Sequence, residues 1–171
     1  MKIIIAGAGE VGTHLAKLLS KEGQDVILID PDETKLQVVD SNYNLMTIAG
    51  SPTTFKLLKE ANVKDADLYI AVTPFETRNI VSCSMAKGLG AKKTVARIDN
   101  LEFMKSEYTP FFKDMGVDDL IYPEYFASLE MMSALSHTWA RNWFELYNGE
   151  LILIGVKLRE NAKLINHKLK D

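Results

Sequence analysis

The sequence predicts an α/β protein built on a doubly wound, six-stranded parallel sheet, and three observations lead to this prediction. Short apolar runs alternate along the chain with longer stretches whose apolar residues recur at helical spacing. The short runs are apolar at nearly every position, which is typical of strands buried on both faces of a parallel sheet. A glycine pattern, Gly7-Ala8-Gly9-Glu10-Val11-Gly12, separates the first run from the first helical stretch.

The first half of the chain predicts three strands that alternate with three helices. The strands are KIIIAG, DVILID and NLMTIAG, and the helices cover residues 10–22, 32–41 and 53–60. Val11, Leu15 and Leu18 illustrate the helical spacing in the first of these helices. Since each strand is joined to the next through a helix, neighbouring strands are expected to run parallel.

The second half repeats this scheme. The predicted strands are DLYIAV (67–72), KTVARI (93–98) and DDLIYP (118–123), with helices at 76–89 and 101–105. Gly88 and Gly90 mark the end of the first of these helices. Two such halves predict the strand order 3-2-1-4-5-6.

Residues 124–143 predict one more helix, which at 1.5 Å per residue would be about 30 Å long. The apolar residues that recur in it at helical spacing are Leu129, Met132, Leu135, Trp139 and Trp143. Two alternatives are open. The helix packs as the last helix of the core, or it crosses to a second chain and buries its apolar stripe there.

The end of the chain has a different pattern. FELY-NG-ELILIGVKL predicts a hairpin, with Asn148-Gly149 suited to a type I′ turn. The final LINHKLKD only begins a new helical pattern. We therefore expect a Rossmann-like nucleotide-binding domain at residues 1–143 and the start of a truncated second domain at residues 144–171.

Composition narrows the functional classes. The chain has 171 residues, 25% of them charged, and a net charge of −3, without a cluster of Lys and Arg, so nucleic acid is not an expected partner. No apolar run approaches the ~20 residues that span a bilayer. One cysteine, Cys83, and an N-terminus without signal-peptide features predict a cytoplasmic protein. Cys83 itself is expected to be a buried residue without a functional role.

The glycine motif and the next strand predict a dinucleotide site. Gly7 allows a tight turn, Gly9 lets the backbone approach a pyrophosphate, and Gly12 lets the helix pack closely on the sheet. Asp30 ends the second strand, where a carboxylate accepts hydrogen bonds from ribose hydroxyls and repels a 2′-phosphate. NAD is therefore favoured over NADP. The alternative, that the glycines only form a tight turn, stays open.

Other polar residues follow the later strands. Thr73, Arg97 and Glu124 lie near the carboxyl ends of strands four, five and six, where ligands of such folds bind. Because an unpaired buried charge is costly, Arg97 needs a partner, either a ligand phosphate or an acid such as Asp99. The sequence contains no Walker A motif, zinc-ligand spacing or Tyr-x-x-x-Lys pair. Binding without catalysis is the leading hypothesis; the cofactor domain of an NAD-dependent oxidoreductase is the alternative.

The segments MKIIIAGAGEVG, VILID, DADLYIAVTPFETRN, VARI and LIYPE together resemble the nucleotide-binding N-domain of TrkA-type regulatory subunits of bacterial potassium uptake systems, the RCK or KTN domain. The resemblance covers residues 1–143, and residues 144–171 resemble the opening of its companion C-terminal domain. It implies a non-enzymatic, peripheral protein that binds NAD(H), ATP or ADP. It also implies a dimer as the building block of a larger ring, and a membrane potassium channel or transporter as the partner.

The resemblance also implies roles for single residues. It assigns phosphate binding to the loop Gly7–Gly12, ribose binding to Asp30, and ligand-wall contacts to Ala49-Gly50-Ser51 and Ala71-Val72-Thr73. Many relatives carry Gly-Asp where this chain has Gly50-Ser51, which weakens the assignment of adenine contacts there.

Three further positions are matched by the same resemblance. Asn79 and Arg97 match polar positions near the phosphates and the dimer interface, and Glu124 matches an acid that in some relatives helps to hold a divalent cation with ATP. Many relatives carry Arg at the position of Glu10. This departure argues against selectivity for a γ-phosphate.

Overall fold

The computed structural model describes residues 1–40, 45–147, 149–158, 162 and 165. These residues form two compact units, Met1–Pro123 and Glu124–Asp171. The predicted domain boundary after residue 143 divides the chain differently and stays a prediction. None of the described helices is long and apolar enough to cross a membrane.

The first unit is built around six parallel strands. They are β1 (Lys2–Ala6), β2 (Asp25–Asp30), β3 (Met46–Ala49), β4 (Leu68–Ala71), β5 (Thr94–Arg97) and β6 (Asp119–Ile121). Their order is β3-β2-β1-β4-β5-β6, and every neighbouring pair is parallel. The predicted fold class and strand order are confirmed. The chain reverses its direction of winding between β1 and β4, which is where ligands of such sheets bind.

Helices cover both faces of the sheet. They are α1 (Glu10–Lys21), α2 (Glu33–Asp40), α3 (Phe55–Glu60), α4 (Glu76–Gly88) and α5 (Thr109–Asp114). Ile3 and Ile5 pack with α1 and α2 on one face, because side chains alternate along a strand. Ile4 and Tyr69 pack with the other three helices on the opposite face. Each fully buried side chain of this kind contributes about 1.5–3 kcal/mol.

Two details of the first unit differ from the sequence prediction. The short helix expected at 101–105 is a 3-10 turn, Leu101–Met104, whose first residues are held by Asn100 Oδ1 accepting from the Glu102 N–H at 3.0 Å. Helix α5 was not predicted. It has only six residues and begins with Thr109-Pro110, so it is too short to show helical periodicity, although Pro suits the first turn of a helix.

Cys83 lies on the buried face of α4, as expected. Its side chain is inaccessible to solvent, and its thiol donates a hydrogen bond to the Val95 carbonyl at 3.3 Å. Burial raises the pKa of this thiol to about 12.

The second unit contains one helix and one hairpin. Helix α6 covers Pro123–Ser136, and strands β7 (Asn142–Leu146) and β8 (Leu151–Gly155) pair in antiparallel fashion. The predicted hairpin is confirmed, although Asn148 of the proposed turn lies outside the described residues. The same is true of most of LINHKLKD.

The prediction of a single helix over residues 124–143 is wrong, because α6 ends at Ser136. Trp143 belongs to β7 and pairs with Ile154 of β8. Its ring stacks on His137, with centroids 3.7 Å apart, and meets Trp139 edge to face at 5.9 Å. The i, i+4 spacing of the tryptophans is compatible with a helix, but strand pairing satisfies the backbone groups of residues 142–146 instead.

Candidate functional site

The loop between β1 and α1 has two glycines that its own geometry requires. Gly7 has φ +113°, and a Cβ added there would lie 3.0 Å from the Thr73 nitrogen. A Cβ added at Gly12 would lie 1.8 Å from the Gly7 carbonyl oxygen. Gly12 therefore allows α1 to pack directly against the loop, as the sequence predicts.

Gly9 is different, because the surrounding chain does not require a glycine there. A Cβ added at this position would meet nothing within 4 Å, and its φ is −71°. Gly9 is the N-cap of α1, and no side chain caps the helix there. Since a helix leaves its first N–H groups without acceptors inside the helix, those of Glu10, Val11 and Gly12 form a positive end at this loop.

Asp30 anchors the same loop. Asp30 is buried, with 7% of the residue exposed. Oδ2 accepts from the Ala8 N–H at 2.7 Å, and Oδ1 accepts from the Asp32 N–H at 2.9 Å. Because each carboxylate oxygen has a second lone pair, Asp30 can still accept a hydrogen bond from a ribose hydroxyl. The sequence predicted a ligand contact here, and the structure adds a bond that orders the loop of residues 7–12, which is called the phosphate loop below for its predicted role.

The turn after β3 is also tied to Asp30. The Gly50 N–H donates to the Asp30 carbonyl at 2.9 Å. Gly50 has φ +150°, and a Cβ there would lie 2.2 Å from Leu57 Cδ1, so only glycine fits. The Ser51 hydroxyl shares a hydrogen bond of 2.9 Å with Thr53. Gly50 and Ser51 thus lie at the same edge of the sheet as the phosphate loop.

The end of β4 is held by a buried amide. Thr73 is 5% exposed and Asn79, in the first turn of α4, is 1% exposed. Asn79 Oδ1 accepts from the Thr73 N–H at 2.9 Å and from its hydroxyl at 2.6 Å. Asn79 Nδ2 donates to the carbonyls of Thr73 and Arg97, both at 2.9 Å. This amide therefore joins the carboxyl ends of β4 and β5.

Arg97 ends β5 and has an internal partner. Its Nη2 lies 3.1 Å from Asp99 Oδ1, and its side chain is 23% exposed. The acid Asp99, one of the two partners considered from the sequence, is therefore a partner of Arg97 in the structure, and the ligand phosphate stays a prediction. The backbone N–H groups of Asp99 and Asn100 both donate to Glu76 Oε2 at 3.0 Å, so the first turn of α4 also holds the loop after β5.

Eleven of the twelve predicted site residues lie along the carboxyl edge of the sheet in the first unit. They are Gly7, Ala8, Gly9, Glu10, Val11, Gly12, Asp30, Gly50, Ser51, Thr73 and Arg97. Glu124 is the exception, because it begins the second unit. Its predicted role beside a cation stays a prediction, and the described residues contain no cluster of three or more metal-binding side chains.

A cleft of about 350 Å³ opens beside the phosphate loop. It is lined by the loop and by side chains of α1 and α2, among them His14, Lys17 and Lys35. Lys35 lies 3.7 Å from Asp32 and is half exposed. The mixture of backbone N–H groups and cationic side chains suits an anionic ligand.

Sequence reasoning missed the two contacts of α4 with the strand ends. Asn79 was noted only through a family resemblance, and Glu76 was not noted. The available signal was position: both residues fall in the first turn of a helix that directly follows a strand at the switch point of the sheet.

The chain matches a family model over most of its length. The model described as TrkA-N domain matches residues 3–123. Among curated proteins, the chain is 34% identical to the Trk system potassium uptake protein TrkA of Haemophilus influenzae, over 99% of this chain and 37% of that protein. It is 29% identical to a TrkA homolog of Methanothermobacter thermautotrophicus, over 100% of this chain and 76% of that protein. The chain thus spans little more than a third of the bacterial relative.

Solved structures support the same fold. The TrkA-N domain of the inner membrane protein ybaL from Escherichia coli matches 78% of this chain and 96% of its own, with a TM-score of 0.67 and 15% identity. The GsuK channel bound to NAD matches 70% of this chain and 21% of its own, with a TM-score of 0.60 and 16% identity. GsuK bound to ADP matches 80% and 34%, with a TM-score of 0.62 and 22% identity.

Proposed function

The chain belongs to the TrkA-N domain family, and on that premise we propose that it is a nucleotide-sensing regulatory subunit of a potassium transport system. It binds NAD(H), and also ADP or ATP, at the carboxyl edge of its sheet, and it gates a membrane potassium channel or transporter. The named potassium uptake relatives support the process. The NAD- and ADP-bound structures of GsuK support the class of ligand.

One observation carries the proposal: Gly9 is a glycine that the fold does not need. Gly7 and Gly12 are explained by contacts within the chain, whereas a side chain at Gly9 would meet only open space. That space lies at the uncapped N-terminus of α1, next to the Asp30 carboxylate. A pyrophosphate that approaches the backbone closely explains all three features together.

Asp30 supports a preference for NAD(H) over NADP(H). The carboxylate is buried and holds the loop through the Ala8 N–H. A 2′-phosphate would face its negative charge and remove a hydroxyl donor. We expect NADPH to bind more weakly than NADH in calorimetric titrations, and equal or tighter binding of NADPH would contradict this assignment.

The binding test uses two matched glycine substitutions. Gly9→Ala and Gly88→Ala both change an exposed glycine whose added Cβ meets nothing within 4 Å. Both variants should fold as the parent does. Titration with NADH and ADP should show an affinity loss of about tenfold or more for Gly9→Ala only, since its methyl group occupies the space of the phosphates. Unchanged binding by Gly9→Ala would exclude this loop as the site.

The proposal includes regulation without catalysis. Relatives of the chain are named as potassium uptake proteins rather than as dehydrogenases. NADH should therefore remain unoxidised during incubation with small carbonyl compounds. Steady oxidation that disappears in Gly9→Ala would favour the alternative, a cofactor domain of an oxidoreductase.

We propose that the protein acts as a homo-oligomer, with a dimer as the building block, at the cytoplasmic face of the membrane, where its transporter partner holds it. The support is the apolar surface of α6, none of whose residues is buried in the chain. Met132 and Leu135 are 59% and 77% exposed, and Trp139, which follows the helix, is 62% exposed. Sedimentation should show that Trp139→Ala combined with Leu135→Ala shifts a dimer towards monomer. Nucleic acid has no part in this assembly.

Gating is tested in the reconstituted transport system. Potassium flux should respond differently to NADH and to ATP, and Arg97→Ala should reduce that difference, because Arg97 ends β5, the strand next to β4 at the switch point. A coupling of about 1–3 kcal/mol is the usual range for such effects. An unchanged response would leave Arg97 as a structural partner of Asp99 only.

A further inference from the structure

The Asn79 amide uses its complete hydrogen-bonding capacity inside the protein. Its oxygen accepts two hydrogen bonds, and its nitrogen donates two. The orientation of the amide is fixed by its partners, since an N–H of Thr73 can only donate and the carbonyls of Thr73 and Arg97 can only accept. A side chain that is 1% exposed and fully bonded holds its neighbours at fixed positions.

We propose that Asn79 is the positioning residue that couples occupancy of the phosphate loop to the loop after β5, which consists of residues 98–100. This inference rests on the proposed function, because it assigns a coupling route to the same nucleotide site. The ligand is a nucleotide pyrophosphate, and the responding groups are the backbone amides of Asp99 and Asn100.

The first step of the route is steric. The Gly7 backbone lies so close to the end of β4 that a Cβ on Gly7 would be 3.0–3.2 Å from the Val72 and Thr73 backbone. On its other side, Gly7 lies against Gly12 of α1. A movement of the loop that accompanies phosphate binding therefore acts directly on the Thr73 peptide, because packed groups leave no free space between them.

The second step passes through the amide. The Thr73 N–H is bonded to Asn79 Oδ1, and Asn79 Nδ2 is bonded to the Arg97 carbonyl. Arg97 pairs with Asp99, whose N–H and that of Asn100 are bonded to Glu76, on the same helical turn as Asn79. The first turn of α4 thus holds the end of β4 and the loop after β5 as one body.

Asn79→Asp keeps the two hydrogen bonds that the Asn79 oxygen accepts and removes the two that its nitrogen donates. The carboxylate can still accept from the Thr73 N–H and hydroxyl, but its second oxygen faces the Thr73 and Arg97 carbonyls without two hydrogens to donate. The direct bond from residue 79 to the Arg97 carbonyl is therefore broken, while the bonds to the Thr73 donors and those of Glu76 to Asp99 and Asn100 are kept, so the variant tests the Asn79 link alone. Asp118→Asn is the control, because Asp118 accepts from Thr94 and Lys87 at the opposite edge of the sheet.

The experiment measures hydrogen exchange of backbone amides with and without saturating ADP or NADH. In the parent chain, nucleotide should slow exchange at Asp99 and Asn100 about fivefold or more, in addition to its effect on the phosphate loop. In Asn79→Asp the effect at Asp99 and Asn100 should be lost, while the phosphate loop still responds to nucleotide. Asp118→Asn should behave as the parent does.

Several results would overturn the inference. One is a parent chain in which nucleotide protects the phosphate loop but not Asp99 and Asn100, a test that needs no variant to fold. Others are a retained response in Asn79→Asp, or an equal loss in Asp118→Asn, which would make the effect one of general stability. If the parent binds neither ADP nor NADH, the proposed function fails and the coupling fails with it; binding without coupling contradicts only this inference.

Discussion

The two edges of the six-stranded sheet are held together by different mixtures of polar contacts. At the amino edge, three lysine–aspartate pairs with N–O distances of 2.7 Å connect neighbouring segments: Lys87–Asp118, Lys92–Asp67 and Lys93–Asp119. At the carboxyl edge, in addition to the Arg97–Asp99 pair, the buried Asn79 amide and the buried Asp30 carboxylate bind backbone groups.

We therefore expect the amino edge to have a structural role and the carboxyl edge to have a role in nucleotide binding as well. Ion pairs with exposed lysines, such as Lys92 at 71%, contribute little to stability because water screens them. Breaking a hydrogen bond of a buried group costs more stability than breaking an exposed ion pair, because the remaining buried partner has no water molecule to bond with. Variants that remove these buried hydrogen bonds should therefore lower both stability and nucleotide affinity, whereas variants of the amino edge should leave nucleotide affinity unchanged.

The largest effect is expected for Gly12→Ala. Its methyl group would lie 1.8 Å from the Gly7 carbonyl oxygen, so α1 and the phosphate loop must move apart. We expect a loss of about 3 kcal/mol or more in the free energy of unfolding, measured with urea. Gly9→Ala makes the same chemical change three residues away without a clash and should unfold as the parent does. Equal stabilities of the two variants would contradict the geometry described for this loop.

Asp30→Ala should have the next largest effect. It removes the acceptor of the buried Ala8 N–H, which costs about 1–3 kcal/mol, and it should also weaken NADH binding. Asp67→Ala is the matched variant at the amino edge, where Asp67 accepts from the Lys2 N–H at 2.8 Å. It should leave nucleotide affinity unchanged. If calorimetry shows the same loss of affinity for both variants, the distinction between the edges is wrong.

The amino edge should respond to acid. Partial burial acts to raise the pKa of Asp118, but hydrogen bonds from Lys87 and Thr94 outweigh it and hold the pKa below its usual range. Because the folded state has the lower pKa, this contribution is present above the unfolded pKa of about 3.9 and is lost as the pH falls through the folded pKa.

Asp118→Asn should therefore lower stability at pH 7 by about 1 kcal/mol and by less in acid. Urea unfolding of parent and variant at pH 7 and at pH values below 4 measures the difference between them. A difference that does not shrink in acid would show that the charge of Asp118 contributes nothing.

The smallest effect is expected for Lys93→Ala. Lys93 and Asp119 are 58% and 51% exposed, so their pair gains little in water. The variant should show neither a measurable shift of its unfolding midpoint nor a change in nucleotide affinity. A clear loss of either would mean that the Lys93–Asp119 pair is more than a screened ion pair.

Local patterns were sufficient to predict the sheet and the loop. The strands are apolar on both faces, and the glycine spacing indicates a tight turn between a strand and a helix. The strand order could be predicted as well, because the glycine motif follows the first strand of the doubly wound fold, whose strand order is known.

The contacts that depend on tertiary placement could not be predicted in the same way. The bonds of Asn79 and Glu76 join segments about 20 residues apart. Asn and Glu are both common in the first turn of a helix, so the residue type alone does not show that a side chain will bind a distant segment. At Trp143 a local pattern led to a wrong prediction. Its spacing from Trp139 suits a helix, but pairing with β8 overrides that local preference.

The single cysteine gives this protein a practical advantage for spectroscopy. Cys83 is inaccessible to solvent, and its pKa of about 12 leaves almost no reactive thiolate at neutral pH. The natural chain therefore behaves towards maleimide and nitroxide reagents as a protein without cysteine. A thiol introduced at one exposed position, for example in place of Ser106, would carry the only label on each chain, and distances between labels could be followed during nucleotide titration without a cysteine-free background.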